Sequence, residues 1–249
     1  MSDRWLKRSM LAVLFWISLG GVAFAAPLPS IHISTGGASP SNTISILALL
    51  TLISFAPAIL LTMTAFTRII TVLSFLRSAL GLQTTPPNQV LIGLGLFITL
   101  FVMSPTLSAI NHHALSPYLA GHLSLIQAGT RALAPMRTFM YRQTRVQDIA
   151  LFLHLAHLPH PHNLSQIPTT TLIPAFIISE LRTAFEIGVY IYIPFVLIDL
   201  VVATILMSMG MMMLPPTLIS LPLKILLFVL ANGWTLVVQS LVLSFHGGG

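Results

Sequence analysis

From Val90 to Ile110 the chain runs 21 residues without a charge, long enough as a helix to cross about 30 Å of hydrocarbon. Three more apolar regions share that character: Ile44 to about Met63, a region from near Leu172 to Leu214, and Thr217 to Phe245. Pro57 is placed to kink the first of them. Only 6% of residues are charged, against roughly a quarter in an ordinary soluble domain. With a mean hydropathy of +0.93, the chain belongs to the membrane class.

The basic excess, eleven Lys and Arg against five Asp and Glu, is thinly spread. It forms no basic run with interleaved aromatics, which argues against a nucleic-acid partner. The chain has no cysteine, so disulfides, thiolate zinc sites and thiol catalysis are excluded. No Walker motif, GxSxG, HExxH or Rossmann fingerprint is present, and catalysis has no visible seat.

Residues 1–25 read as a secretory signal peptide. Arg4, Lys7 and Arg8 precede an apolar stretch from Met10 to Leu19, and Ala23 and Ala25 meet the small-x-small rule for cleavage after Ala25. The competing reading is an uncleaved first membrane helix. Residues 26–43, rich in Pro, Gly, Ser and Thr, read as an exported linker. Residues 44–110 are expected to form a first helical hairpin, with Arg68 and Arg77 on an amphipathic connection ending at Pro86-Pro87. Residues 111–170 form a polar, helical region expected on the periplasmic side, and 171–249 a second hairpin. An exported amino terminus puts Arg68 and Arg77 in the cytoplasm, as the positive-inside rule asks. It also puts four arginines of the 111–170 region outside, against the simple rule.

Glu180, Glu186, Asp199 and Lys224 lie in or beside apolar segments, where an unpaired charge costs several kcal/mol. Arg182 and Glu186, four apart, can meet on one helix face. Glu180 and Lys224 are the long-range candidates for pairing between helices or subunits; snorkelling at the membrane boundary is the alternative. Asp199 is the one carboxylate deep within an apolar segment, which keeps a proton-coupled transporter among the readings. The tract HLAHLPHPH places His154, His157, His160 and His162 close together. His154 and His157 could share a metal, but prolines 159 and 161 favour a solvated loop, and no metal or other cofactor is expected.

MSMGMMMLPP crowds five of the eleven methionines, Met207, Met209, Met211, Met212 and Met213, into seven residues before Pro215-Pro216. Core filler, a copper(I) thioether site and a deformable seal all use such a run. Thioethers repack readily, which suits a surface that closes on itself and reopens around varied cargo.

The segment MTAFTRIITVLSFLRSALGLQTTPPNQVLIGLGLFITLFVMSPT, residues 63–106, resembles the FliP family of flagellar type III export gates and their virulence-secretion counterparts. So do RTFMYRQTR at 137–145, SELRTAFEIG at 179–188, and IPFVLIDLVVATILMSMGMMMLPPTLISLPLKILLFVLANGW at 193–234. That resemblance implies an all-α, polytopic protein of bent hairpins. Several copies of it would assemble with FliQ-like and FliR-like subunits into a helical gate, beside an FlhB-like switch protein. The gate would stand partly above the lipid and pass unfolded flagellar proteins. The resemblance further implies that Met211, Met212 and Met213, supported by Met207 and Met209, form a pore gasket. It also implies a buried ion pair between subunits at Glu180 and Lys224. The flagellar-type signal peptide favours the flagellar branch over the injectisome.

Overall fold

Residues 66–79 place Phe66, Ile69, Val72, Leu73 and Leu76 at helical spacing, and every one is buried. In the computed structural model, which describes residues 40–246 apart from 160, 162, 164, 165 and 212, this stretch is helix α2 (Phe66–Ala79). Before it comes α1 (Pro40–Met63), with Pro57 inside. After it come α3 (Asn88–Ile110), a π-helical turn at Asn111–Leu115, the single turn α4 (Ser116–Leu119), α5 (Leu125–Gln143) and α6 (Val146–Leu155). The long α7 (Thr169–Ser208), α8 (Pro216–Leu230) and α9 (Gly233–His246) complete the order. No strand occurs among the described residues, so the all-helical expectation holds.

The chain divides into two units, one through Ile53 and one from Ser54 onward. The first contributes the opening part of α1; everything below concerns the second. The signal peptide with its Ala25 cleavage position, and the linker as far as Ser39, lie outside the described residues.

Helix α2 is the centre of the larger unit and packs most extensively on α7. Its apolar face joins Leu91, Ile98 and Met103 of α3, Ala184 and Phe195 of α7, Phe228 of α8, and Val237, Leu241 and Phe245 of α9. Close approach of α2 to α7 depends on Gly188. A Cβ there would stand 2.7 Å from the Phe75 ring, so any larger residue would displace that ring or force the helices apart. A second cluster joins Met140 of α5 and Ile149 and Leu153 of α6 to Leu172, Ala175 and Phe176 of α7.

Two sharp bends replace simple spans. The part of α1 from Pro57 to Met63 meets α2 at 78°, and α8 meets α9 at 65°. Asn232 makes the second bend with a left-handed φ of 51°, a conformation that asparagine tolerates. Among the described residues, two helices remain long and apolar enough to cross a membrane without a break: Asn88–Leu119, which takes in the π turn, and Thr169–Ser208. The capping box at the start of α5 is visible in its sequence, SLIQ. Ser124 Oγ accepts from the Gln127 N–H, and Gln127 Oε1 accepts from the Ser124 N–H.

Candidate functional site

Arg68 lies on the same helical face as Ala65, Val72 and Leu76, so α2 cannot bury that face without burying a guanidinium. It is 2% exposed, and the structure answers with a complete set of acceptors. Nε donates to Glu180 Oε2 at 2.9 Å and Nη2 to Glu180 Oε1 at 2.5 Å. Nη1 donates to the backbone oxygen and Oγ of Ser244, each at 3.0 Å, and Nη2 donates to Gln143 Oε1 at 3.1 Å. All five guanidinium N–H groups are used. The Phe245 ring lies under the cation, 3.9 Å away, and Gln143 Nε2 donates to the Phe245 carbonyl at 2.9 Å. Arg68 thereby ties α2 to α5 and α7 and satisfies the Ser244 carbonyl at the end of α9, a favourable place for a cation.

Beside Glu180 on α7, at Ser179, Arg182 and Glu186, a second polar cluster forms against α6. The Arg145 N–H donates to Ser179 Oγ at 3.0 Å, and Ser179 Oγ–H donates to Asp148 Oδ2 at 2.5 Å. Arg182 pairs with Asp148 at 3.3 Å, and Arg145 with Glu186 at 2.6 Å. The Arg182–Glu186 pair that the spacing allows within α7 does not form. Helix α6 packs across α7 and supplies a carboxylate to one residue, and Arg145 just before it supplies a guanidinium to the other. These tertiary partners displace a pairing worth only a few tenths of a kcal/mol.

A third cluster lies near the far end of α7. Asp199 Oδ2 accepts from Lys224 Nζ at 2.6 Å, and its Oδ1 accepts from Ser220 Oγ at 2.5 Å. Lys224 also donates to the Ala79 carbonyl at 3.3 Å, so α2, α7 and α8 meet there. The expectation of a Glu180–Lys224 pair concerned two copies of the chain. Within one copy each is engaged elsewhere, Glu180 by Arg68 and Lys224 by Asp199.

The methionine run is the turn between α7 and α8. The N–H of Met211 bonds the Leu206 carbonyl and that of Gly210 bonds the Met207 carbonyl, both at 3.0 Å. This is a Schellman motif, and it needs a left-handed residue where Gly210 stands at φ 75°. Pro216 then starts α8 in the first-turn position proline favours, with Pro215 just before it. The turn presents Met207, Met209, Met211 and Met213 to the outside, with Met213 98% exposed. Met212 lies outside the described residues. Of the histidine tract, His154 and His157 are described, and no group of three metal-ligating side chains occurs among the described residues.

Sequence reasoning missed the roles of Arg68, Gln143 and Ser244. The signal for Arg68 was present in its place on the apolar face of α2. Gln143 and Ser244 sit 75 and 176 residues away from it, and no local pattern links them.

The sequence model of the FliP family matches residues 49–241. The chain is 58% identical over 205 residues to the flagellar biosynthetic protein FliP of Bacillus subtilis, covering 82% of this chain and 93% of that one. Its counterpart in Pectobacterium carotovorum is 50% identical over 95% of this chain and 89% of its own length. The Aquifex aeolicus protein of the same name is 46% identical, over 96% of this chain and all of its own.

Proposed function

The chain belongs to the FliP family, and from that premise we propose that it is a pore-forming subunit of the flagellar type III export gate in the bacterial inner membrane. Several copies would assemble with FliQ-like and FliR-like subunits, beside an FlhB-like switch protein, and pass unfolded flagellar proteins. The similar proteins above carry flagellar names, and nothing comparable supports the injectisome reading. The role is structural: the chain would line and hold a passage, with energy supplied by other components.

The observation that carries the pore assignment is the turn between α7 and α8. It exposes four methionines on a backbone pinned by a glycine motif and two prolines. A monomer gains nothing from leaving such side chains in water, whereas copies arranged around an axis would bury them against one another. Methionine has three side-chain torsions and a polarizable sulfur, so a ring of such turns would interdigitate at rest and part for cargo. A constriction of this kind gates by excluding water. Met211, Met212 and Met213 would form the seal, with Met207 and Met209 behind it.

The polar clusters keep the hairpin stiff behind its soft tip. Asp199, engaged by Lys224 and Ser220, is better explained as a brace between α7 and α8 than as a proton carrier. Replacing Met211, Met212 and Met213 together with Ala should leave assembly intact and raise resting ion leakage across cells or proteoliposomes. An assembled triple variant that leaks no more than the parent would move the seal elsewhere.

A further inference from the structure

Helices α3 and α5, with the π turn and α4 between them, enclose a groove of about 720 Å³. Its floor is made of small residues, among them Ala109, Ala134 and Thr138, and its basic lining is Arg131, Arg142, His112 and His113. Both arginines are exposed and make no hydrogen bond or ion pair among the described residues. They stand eleven residues apart on α5, three helical turns, so they share a face with their Cα atoms about 16 Å apart.

The chain has five acidic residues. Asp148, Glu180, Glu186 and Asp199 are each held in an ion pair with another base, and Asp3 lies outside the described residues. Among its described residues, a second copy of this chain therefore brings no spare carboxylate to pair with Arg131 and Arg142.

Apolar surface adjoins the groove on both sides. Phe97 (73% exposed) and Phe101 precede Pro105 and Ala109 at four-residue spacing, so one open stripe of α3 leads into the groove. Beyond the other end, the tip between α4 and α5 exposes Leu119 and Ile126 (83%), with Tyr118 partly exposed beside them. The groove opens seventeen residues, about 26 Å, past Asn88. A helix entering lipid at Asn88 leaves the hydrocarbon there. Cations at that depth, flanked by exposed apolar and aromatic side chains, are the chemistry that recognises an anionic lipid headgroup.

We propose that this groove binds one anionic phospholipid with two phosphates, of the diphosphatidylglycerol type, placing a phosphate against each of Arg131 and Arg142 and acyl chains along Phe97 and Phe101.

The test is native mass spectrometry of the full-length protein, purified in a non-ionic detergent and titrated with diphosphatidylglycerol, phosphatidylglycerol or phosphatidylcholine. Inorganic phosphate and an acidic hexapeptide serve as competitors. Diphosphatidylglycerol should bind at one per chain and about tenfold more tightly than phosphatidylglycerol, since each charge-assisted contact contributes about that factor. Phosphatidylcholine and inorganic phosphate should not displace it. Replacing Arg131 and Arg142 with Gln should weaken binding by about a hundredfold. Ala134→Phe, which fills the floor without changing charge, should also abolish the tight site. Equal binding of all three lipids, an Arg131→Gln/Arg142→Gln variant that binds like the parent, or an Ala134→Phe variant that does so, would each overturn the proposal. Displacement by the acidic peptide would assign the groove to a protein partner instead.

Discussion

Replacing Arg68 with Ala removes a cation that spans four helices, and the cost follows from what it leaves behind. Glu180 would remain at 0% exposure without its counter-charge, and Gln143 Oε1 and the Ser244 carbonyl would each lose a donor. Breaking a buried pair by deleting one partner typically costs about 3–5 kcal/mol. Glu180→Ala should cost a similar amount, because it strands the guanidinium instead. Arg68→Lys keeps the charge but has three donors for five acceptor contacts, leaving buried acceptors unmet at roughly 1–3 kcal/mol. The double variant Arg68→Met/Glu180→Leu should recover most of what either single variant loses, since apolar replacement of a buried pair is often neutral or stabilising, the remainder being the donors that Gln143 Oε1 and the Ser244 carbonyl still lack. Thermal unfolding of the detergent-purified chain measures the order of stability, and hydrogen exchange in the last turn of α9 locates the damage. That turn should exchange faster in both single variants, because Arg68 and Gln143 hold its carbonyls. Two single variants as stable as the parent would refute the reasoning. So would a double variant losing the sum of both costs, since the pair would then show no coupling.

At the Asp199–Lys224 brace, Lys224→Ala should lower stability by less than Arg68→Ala, because Asp199 is partly exposed and water can reach it. The charge swap Asp199→Lys/Lys224→Asp should recover part of the loss in the same melts. Gly210→Val should cost about 1–2 kcal/mol through the left-handed φ alone, as nothing lies within 4 Å of a Cβ there; Gly210→Asn should cost less, and unfolding melts rank the two. Amino-terminal sequencing of membrane-extracted protein should find Ala26 first, and recovery of Met1 or Ser2 would make the segment an anchor.

Helix positions were legible wherever a single rule operated. Uncharged length marked α3, and amphipathic character marked the stretch that forms α2, whereas the SLIQ box at the start of α5 was present in the sequence and went unread. Reading the methionine run as a turn also needed only Gly210 and the two prolines. The ion pairs were harder. Arg182 and Glu186 had the right spacing on one helix, yet each found a partner on or beside α6, more than thirty residues away in sequence. Glu180 and Lys224 were recognised as costly charges, but their partners Arg68 and Asp199 depend on which helices cross. Hydropathy records how deep a charge lies and says nothing about which neighbour meets it. Arg68 was read as part of an amphipathic connection facing the cytoplasm, on the positive-inside rule; its place on the apolar face of α2 was the stronger clue.

The 40 residues of α7 make a rod about 60 Å long, twice the thickness of the hydrocarbon layer. To lie wholly within lipid it would have to lean about 60° from the membrane normal, well outside the roughly 0–40° seen for spanning helices. About half of it must therefore be sheathed by something other than acyl chains, although Val189, Tyr190, Leu200 and Ile205 are open along its flank. Made on its own, the chain carries that flank bare, exposed to detergent or to aggregation. Yield of well-behaved protein should therefore depend more on the company in which the chain is synthesised than on its own folding energy.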